Sequence, residues 1–118
     1  FVALRPRYME VFCVCPQAVG HPDEASCRAD LGARVVTSEQ ERCLREVYET
    51  YSRALEPVLA CEVDAEDALL DCAARVLQTC PPREDDRTAC SVQYNLDLEG
   101  CPTARDMVAD RVANCLAP

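Results

Sequence analysis

Two cysteine pairs of equal spacing, Cys61/Cys72 and Cys90/Cys101, flank a Pro81-Pro82 turn, and they constrain this chain more than any other feature. The members of each pair are eleven positions apart. At about 100° per residue, eleven residues of α-helix make three turns plus about 20°, so both members fall on one face. With the chain folded back at the prolines, Cys72 lies ten residues before Pro82 and Cys90 eight after it. Cys61 and Cys101 lie 21 and 19 residues away. Each cross-turn pair matches in height within a helical turn. The spacing therefore predicts an antiparallel helical hairpin stapled twice, by Cys72–Cys90 and Cys61–Cys101.

Stapling also suits the other cysteines. There are ten, Cys13, Cys15, Cys27, Cys43, Cys61, Cys72, Cys80, Cys90, Cys101 and Cys115, an even count. Structural zinc wants closely spaced C-x2-4-C pairs, whereas the tightest pair here is Cys13-Val14-Cys15 and the single histidine is His21. A redox C-x-x-C and a haem-type C-x-x-C-H are both missing from the sequence. All ten are therefore expected in disulfides, with no metal and no cofactor. Matched heights about a turn near Cys61–Val63 pair Cys43 with Cys80. Cys13, Cys15, Cys27 and Cys115 then tie the N-terminus and first helix to the last helix, with their partners among one another left open.

Covalent bracing fits the composition. The 118 residues suit one domain, and 49% are hydrophobic, but sixteen are Ala, ten are Cys, and there is no Trp or Ile. A core of that kind is thin and gains from cross-links. Elsewhere helical signals dominate. Residues 1–15 are the exception: "YMEVFCVC" is β-branched and aromatic, and is expected to be a short extended segment ended by Pro16. "HPDEASCRADLG" predicts a short helix with Asp23 and Glu24 at its positive end and Gly32 as C-cap. "TSEQERCLREVYETYSRALEP" predicts a helix with a Ser38/Glu41 capping box and Leu44, Val47, Tyr48, Tyr51 and Leu55 on one face, kinked or restarted at Pro57. A further helix is expected from an Asp64 N-cap, with Ala65, Leu69, Cys72, Ala73, Val76, Leu77 and Cys80 as its apolar stripe. The last two are expected from about Asp86 to Leu98, ended by Gly100, and over "TARDMVADRVANCL", capped by Thr103, with Val108, Val112, Cys115 and Leu116 buried. The expected fold is all-α: a disulfide-rich bundle of four to five helices over residues 16–118, preceded by an extended segment over 1–15.

The C-x10-C pairs of residues 61–101 resemble the coiled-coil-helix family of the mitochondrial intermembrane space, whose paired cysteines staple two antiparallel helices; Cys80 and the cysteines outside the hairpin depart from that pattern. A longer resemblance spans most of the chain. "VFCVCPQAVGHPDEASCRADLG", a capped helix with Cys43, and "PVLACEVDAEDALLDCAA" are together similar to cysteine-rich secreted domains of GC-rich, myxobacterial-type bacteria. The shared pattern is a C-x-C, a short loop, a D-E-A-x-C-like helix and spaced helical cysteines. Twelve Arg beside no Lys fits such coding. The resemblance implies a secreted compartment and supplies no mechanism.

Charge narrows the partners. A net charge of −9 argues against nucleic acid and anionic membranes. No run of eighteen apolar residues is present, so no transmembrane segment is expected. The chain opens at Phe1 without a leader pattern, and is expected to be a mature secreted, periplasmic or cell-surface chain or a fragment of a larger one. His21 precedes Pro22 at a helix start and is expected to be an ordinary loop residue. "DAED" (64–67) and "REDD" (83–86) lack the alternation and glycine of a calcium loop and are expected at helix N-termini. Tyr48, Tyr51 and Tyr94 are expected to be core residues. The N-terminal segment stands apart: Phe1, Val2, Leu4 and Phe12 are apolar, and Arg5 and Arg7 are basic on an acidic chain. These six are expected to contact a partner protein or a second copy. With no catalytic constellation in the sequence, a non-enzymatic structural or binding module is expected, such as a subunit of an extracellular or cell-surface assembly. The alternative is a small-ligand carrier with a cavity between stapled helices.

Overall fold

A computed structural model describes residues 5–33 and 36–118. Its described residues form six α-helices and no strand: α1 (Arg5–Phe12), α2 (Glu24–Ala33), α3 (Ser38–Thr50), α4 (Ser52–Val76), α5 (Glu84–Glu99) and α6 (Asp106–Leu116), with a 3-10 turn at Pro16–Val19. The all-α, disulfide-rich class is as expected. All ten cysteines are paired, with Cα–Cα separations between 5.5 and 5.7 Å.

The spine is α4, 25 residues long. It ends at a Leu77 C-cap whose N–H donates to Ala73 O. Pro81 and Pro82 occupy the turn, and α5 returns antiparallel along α4 as the most extensive helix pair of the molecule. Cys72–Cys90 and Cys61–Cys101 cross-link the two helices, the twin staple that the spacing predicts. The first turn of α5 carries Glu84, Asp85 and Asp86, acids placed where unpaired backbone N–H groups concentrate positive charge.

Two expected breaks in the spine are absent. Pro57 lies inside α4 and Asp64 caps nothing. A proline clashes with the carbonyl four residues back, which here is Arg53, in the first turn of the helix. The cost therefore falls on the first turn of the helix and not on its interior. The break after α3 comes earlier, at Tyr51 (φ −119°, ψ 28°), which ends α3 and starts α4. From Leu55 the apolar stripe continues through Val58, Ala65, Leu70, Ala73 and Leu77, all buried. One helix keeps that face intact, whereas a restart at Asp64 would divide it. This continuity overturns the Cys43–Cys80 pairing. Cys43 lies before the start of α4 and Cys80 beyond its end, and the unbroken 25-residue helix between them is about 37 Å long. Cys43 instead joins Cys115, and Cys80 joins Cys15.

Around the spine sit two smaller units. At the far end of α4, α1 packs on α4, and α2 packs on α1. The extended segment expected over 1–15 is, for residues 5–12, the two-turn helix α1. Tyr8 and Phe12 stack at 5.6 Å between ring centroids, one turn apart on that helix. Val11, Phe12 and Ala18 pack against a core of Cys15, Ala73 and Leu77. β-branched and aromatic residues bias a free segment towards extension, but burial at helical spacing against α4 outweighs that bias. Cys13–Cys27 then joins the end of α1 to α2, one of the pairings left open, whereas the expected tie of this region to the last helix is absent, because Cys115 pairs with Cys43 and Cys15 with Cys80. Gly32 lies inside α2 and does not cap it.

At the near end, α6 packs on α3. The capping box of α3 is Thr37/Gln40, one residue before the expected Ser38/Glu41. Thr37 Oγ1 accepts from Gln40 N at 3.1 Å, and Gln40 Oε1 accepts from Thr37 N at 2.9 Å. The Gln40 amide also donates to Leu116 O at 3.3 Å, which ties the end of α6 to the start of α3. A glutamate at that position has no N–H to give. α6 starts after Arg105, with no side-chain cap, so Thr103 does not serve as one. Val108 and Cys115 are buried as expected, while Leu116 is exposed.

Candidate binding surface

Among the described residues twelve apolar ones are buried, and five of these are cysteines, Cys13, Cys15, Cys27, Cys90 and Cys115. Leu70 is the one large aliphatic side chain among the four most deeply buried. With so little apolar volume inside, part of the apolar surface stays outside. Val14, Val92, Leu96, Met107 and Leu116 are each close to half exposed or more.

Two clefts open on this surface. The first, about 510 Å³, lies between α3 and α6 and is lined by Cys43, Glu46, Val47, Thr50, Tyr51, Arg111, Asn114 and Cys115. Its wall holds a cation–π contact, with the Arg111 guanidinium 5.7 Å from the Tyr51 ring centroid. The second, about 390 Å³, lies at the Cys61–Cys101 end of the hairpin, lined by Asp64, Ala65, Leu96, Asp97 and Gly100 with Cys61. Leu96 and, one turn earlier, Val92 are 55% and 52% exposed. Both clefts face solvent.

The expected contact residues are divided. Phe1, Val2 and Leu4 lie outside the described residues. Arg5 begins α1. Arg7 is committed within the chain, its two terminal nitrogens donating separately to Asp67 and Asp71 of α4. Phe12 packs on the chain's own core. The acids of 64–67 accordingly have a different setting from the one expected: they are mid-helix on α4, and Asp67 anchors α1. Those of 83–86 do lie at a helix start.

Other singled-out residues take local roles. His21 Nε2 lies 3.3 Å from Asp30 Oδ2, and with every cysteine in a disulfide no thiol stands beside it. Asp23 Oδ1 accepts from Ser26 N at 2.7 Å, and that backbone hydrogen bond holds its carboxyl below the ordinary range. Tyr48 is exposed, contrary to its expected place in the core. Tyr94 is half-buried, and burial, followed by the charges of Glu66 and Glu62, pushes its phenol up. Tyr8, which the sequence does not single out, is perturbed further. Burial first, then the Glu66 charge and Tyr94, push it to about 12. Glu66 is itself pushed up by burial, with Glu62 adding to it.

The residues that sequence reasoning passed over are Val92 and Leu96. Their signal is one of phase. On α5 they fall about 160° and 120° away from Cys90, so they are not on the stapled face.

Five disulfides fit an oxidising compartment. Among the described residues no helix is long and apolar enough to cross a membrane, and no group of three or more His, Cys, Asp or Glu is arranged to hold a metal ion. Neither the family models, nor the curated proteins, nor the solved structures include one that matches this chain.

Proposed function

We propose that this chain is a non-enzymatic binding or structural module that works outside the cell or at its surface, held open by disulfides so that its surface is free for a protein partner. The observation that carries this is area. The chain exposes 8072 Å². A compact monomer of its mass, 13.1 kDa, exposes about 6,400 Å², so the excess is about 1,700 Å². The radius of gyration agrees: 16.0 Å, against about 13.5 Å for a compact chain of this length. Apolar burial alone holds such an open shape poorly, whereas cross-links hold it well. The surplus is comparable to the total area that a standard protein–protein interface removes, about 1,600 Å². An acidic surface turns that partnership towards protein and away from nucleic acid.

A second reading, the small-ligand carrier, draws on the α3–α6 cleft, whose volume falls within the range of about 300–1,000 Å³ typical of ligand sites. Openness to solvent counts against it, since carriers enclose most of a ligand's surface.

The mass of the natively isolated particle tests both. Native mass spectrometry and light scattering should find an assembly heavier than one 13.1-kDa chain. A single chain that carries a small molecule through isolation supports the carrier, and a bare monomer at high concentration removes the assembly reading.

A further inference from the structure

We propose that the cleft between α3 and α6 binds a small zwitterion, a free α-amino acid with an apolar side chain. Its carboxylate meets Arg111 and Asn114 of α6, its ammonium meets Glu46 and Thr50 of α3, and its side chain rests on Val47 and the Tyr51 ring. This goes beyond the protein-partner reading and does not depend on it. It gives the cleft of the second reading an occupant that exchanges with solution, as an open site allows, and is not carried through isolation.

Helical phase places the two walls. Cys43 and Cys115, joined by a disulfide, mark the faces on which α3 and α6 meet. Glu46 and Thr50 lie about 60° and 20° round α3 from Cys43. Arg111 and Asn114 lie about 40° and 100° round α6 from Cys115, in the same rotational sense. The helices run antiparallel, since Gln40 near the start of α3 bonds Leu116 at the end of α6, while Arg111 lies over Tyr51. In an antiparallel pair the same sense of rotation leads to the same side of the contact, so both pairs line one cleft. Val47, half-buried, is its apolar floor. The disulfide holds the walls together at one end, with Cα atoms 5.5 Å apart, so the cleft is formed before a ligand arrives.

The walls differ in chemistry, and that difference selects the occupant. Arg111 and Asn114, three apart on one helix, are neighbours, and both offer N–H donors. Glu46 and Thr50, four apart, both offer acceptors. The Thr50 hydroxyl donates its hydrogen to Glu46 O at 2.8 Å, which leaves only the lone pairs of its oxygen. The guanidinium is steadied by the Tyr51 ring, 5.7 Å from its centroid. Among the described residues neither Glu46 nor Arg111 forms an ion pair. Opposite charges thus stand on facing walls of one cleft without closing on each other. A ligand with an anion and a cation on one carbon bridges them. A plain anion would meet repulsion from Glu46, and a plain cation would meet it from Arg111.

The test follows backbone amide shifts of the isotope-labelled, full-length oxidised protein by NMR, with phenylalanine as the probe. Two analogues keep the ring and one charge each: hydrocinnamate the carboxylate, phenethylamine the ammonium. Phenylalanine should move amides of residues 46–51 and 111–115, with a Kd of about 1 mM for so small a ligand. Each analogue should bind about fivefold more weakly, the upper end of what an exposed ion pair contributes. Glu46→Gln should weaken phenylalanine about fivefold and leave hydrocinnamate no weaker. Arg111→Gln should weaken it by a similar factor and leave phenethylamine no weaker, while Arg111→Lys, which keeps a cation beside Tyr51, should recover part of the loss. Arg87→Gln, on α5 and outside the cleft, should leave binding within about twofold. No shift at the cleft with about 20 mM phenylalanine, well above that Kd, overturns the site. Equal loss in the Arg87 variant overturns it in favour of diffuse attraction. Hydrocinnamate that binds as well as phenylalanine, with Glu46→Gln without effect, overturns the zwitterion in favour of a plain anion. None of these outcomes bears on the mass of the native particle, so the protein-partner reading stands or falls separately.

Discussion

The hairpin α4–α5 and the N-terminal unit α1–α2 are both disulfide-braced helix pairs, yet they reach that state by opposite routes. In the hairpin the two staples bridge helices that are adjacent in sequence, and Cys72–Cys90 closes a span of only 18 residues. Helical phase and a proline turn suffice to bring the sulfurs together. In the N-terminal unit the decisive staple, Cys15–Cys80, spans 65 residues and pins a short helix to the far end of α4. No local period dictates that meeting. It depends on Val11, Phe12 and Ala18 finding Ala73 and Leu77. One region is organised by periodicity and merely locked by sulfur, while the other is organised by tertiary contact and depends on sulfur to persist.

Reduction of all five bonds should give the largest effect. Each native disulfide in a small secreted domain contributes about 2–5 kcal/mol, and the net stability of a domain is only about 5–15 kcal/mol. Excess reductant should therefore abolish most helical circular dichroism at 37 °C. Full ellipticity after complete thiol release would show that the apolar core suffices by itself.

Removing one bond at a time sharpens the comparison. Cys15→Ala with Cys80→Ala should cost more than Cys72→Ala with Cys90→Ala, because the loop it releases is longer, 65 residues against 18. Each is expected within about 2–5 kcal/mol by denaturant unfolding. Hydrogen exchange should localise the difference. The first variant exposes α1 and α2 while α4–α5 stays protected, and the second leaves α1 protected. Equal costs and global exchange in both would mean that the two units unfold as one.

The same contrast explains what was legible beforehand. The hairpin pairing follows from eleven-residue spacings, a property of helix geometry alone. The class follows from the even cysteine count and the thin Ala-rich core. The Cys43–Cys80 pairing fails because Pro57 and Asp64 look like breaks, and their cost is small beside a stripe from Leu55 to Leu77 that one continuous helix buries. Helix α1 is misjudged because propensity reads a segment alone, while Tyr8, Val11 and Phe12 make sense only against α4. The cleft at the Cys61–Cys101 end was half visible. Leu96 stands off the stapled face by phase, but only the packed hairpin brings it into one cleft with Asp64 and Asp97.

A smaller effect is expected from Arg7→Ala. The guanidinium joins α1 to Asp67 and Asp71, all three partly exposed. Solvent screening limits such pairs to about 1 kcal/mol or less each. Unfolding should shift by about that amount, weaken with added salt, and be accompanied by faster exchange confined to α1. A salt-insensitive loss would assign the cost to the packing of the side-chain stem.

The smallest effects are in titration, at the seam where α1 meets the hairpin. Tyr8 titrates at about 12, raised first by burial and then by the Glu66 charge and Tyr94. A folded value above the unfolded one means that its contribution to stability is fully present below about pH 10 and is lost as pH rises through 12. Glu66 obeys the same sign lower on the scale. Its carboxyl is raised, chiefly by burial, so its contribution is whole below the unfolded value near 4.5 and falls away as pH rises. Neutralising it as Glu66→Gln should then raise the melting temperature slightly at pH 7, with the gain vanishing in acid. The same substitution should lower the Tyr8 titration by the smaller part of its shift, because burial leads and the charge follows. Stopped-flow pH jumps read at 295 nm within seconds can follow the phenolate, with Tyr8→Phe identifying the late phase. If Glu66→Gln leaves that phase in place but still raises the melting temperature, burial alone accounts for Tyr8, and the two groups meet through packing without appreciable charge coupling.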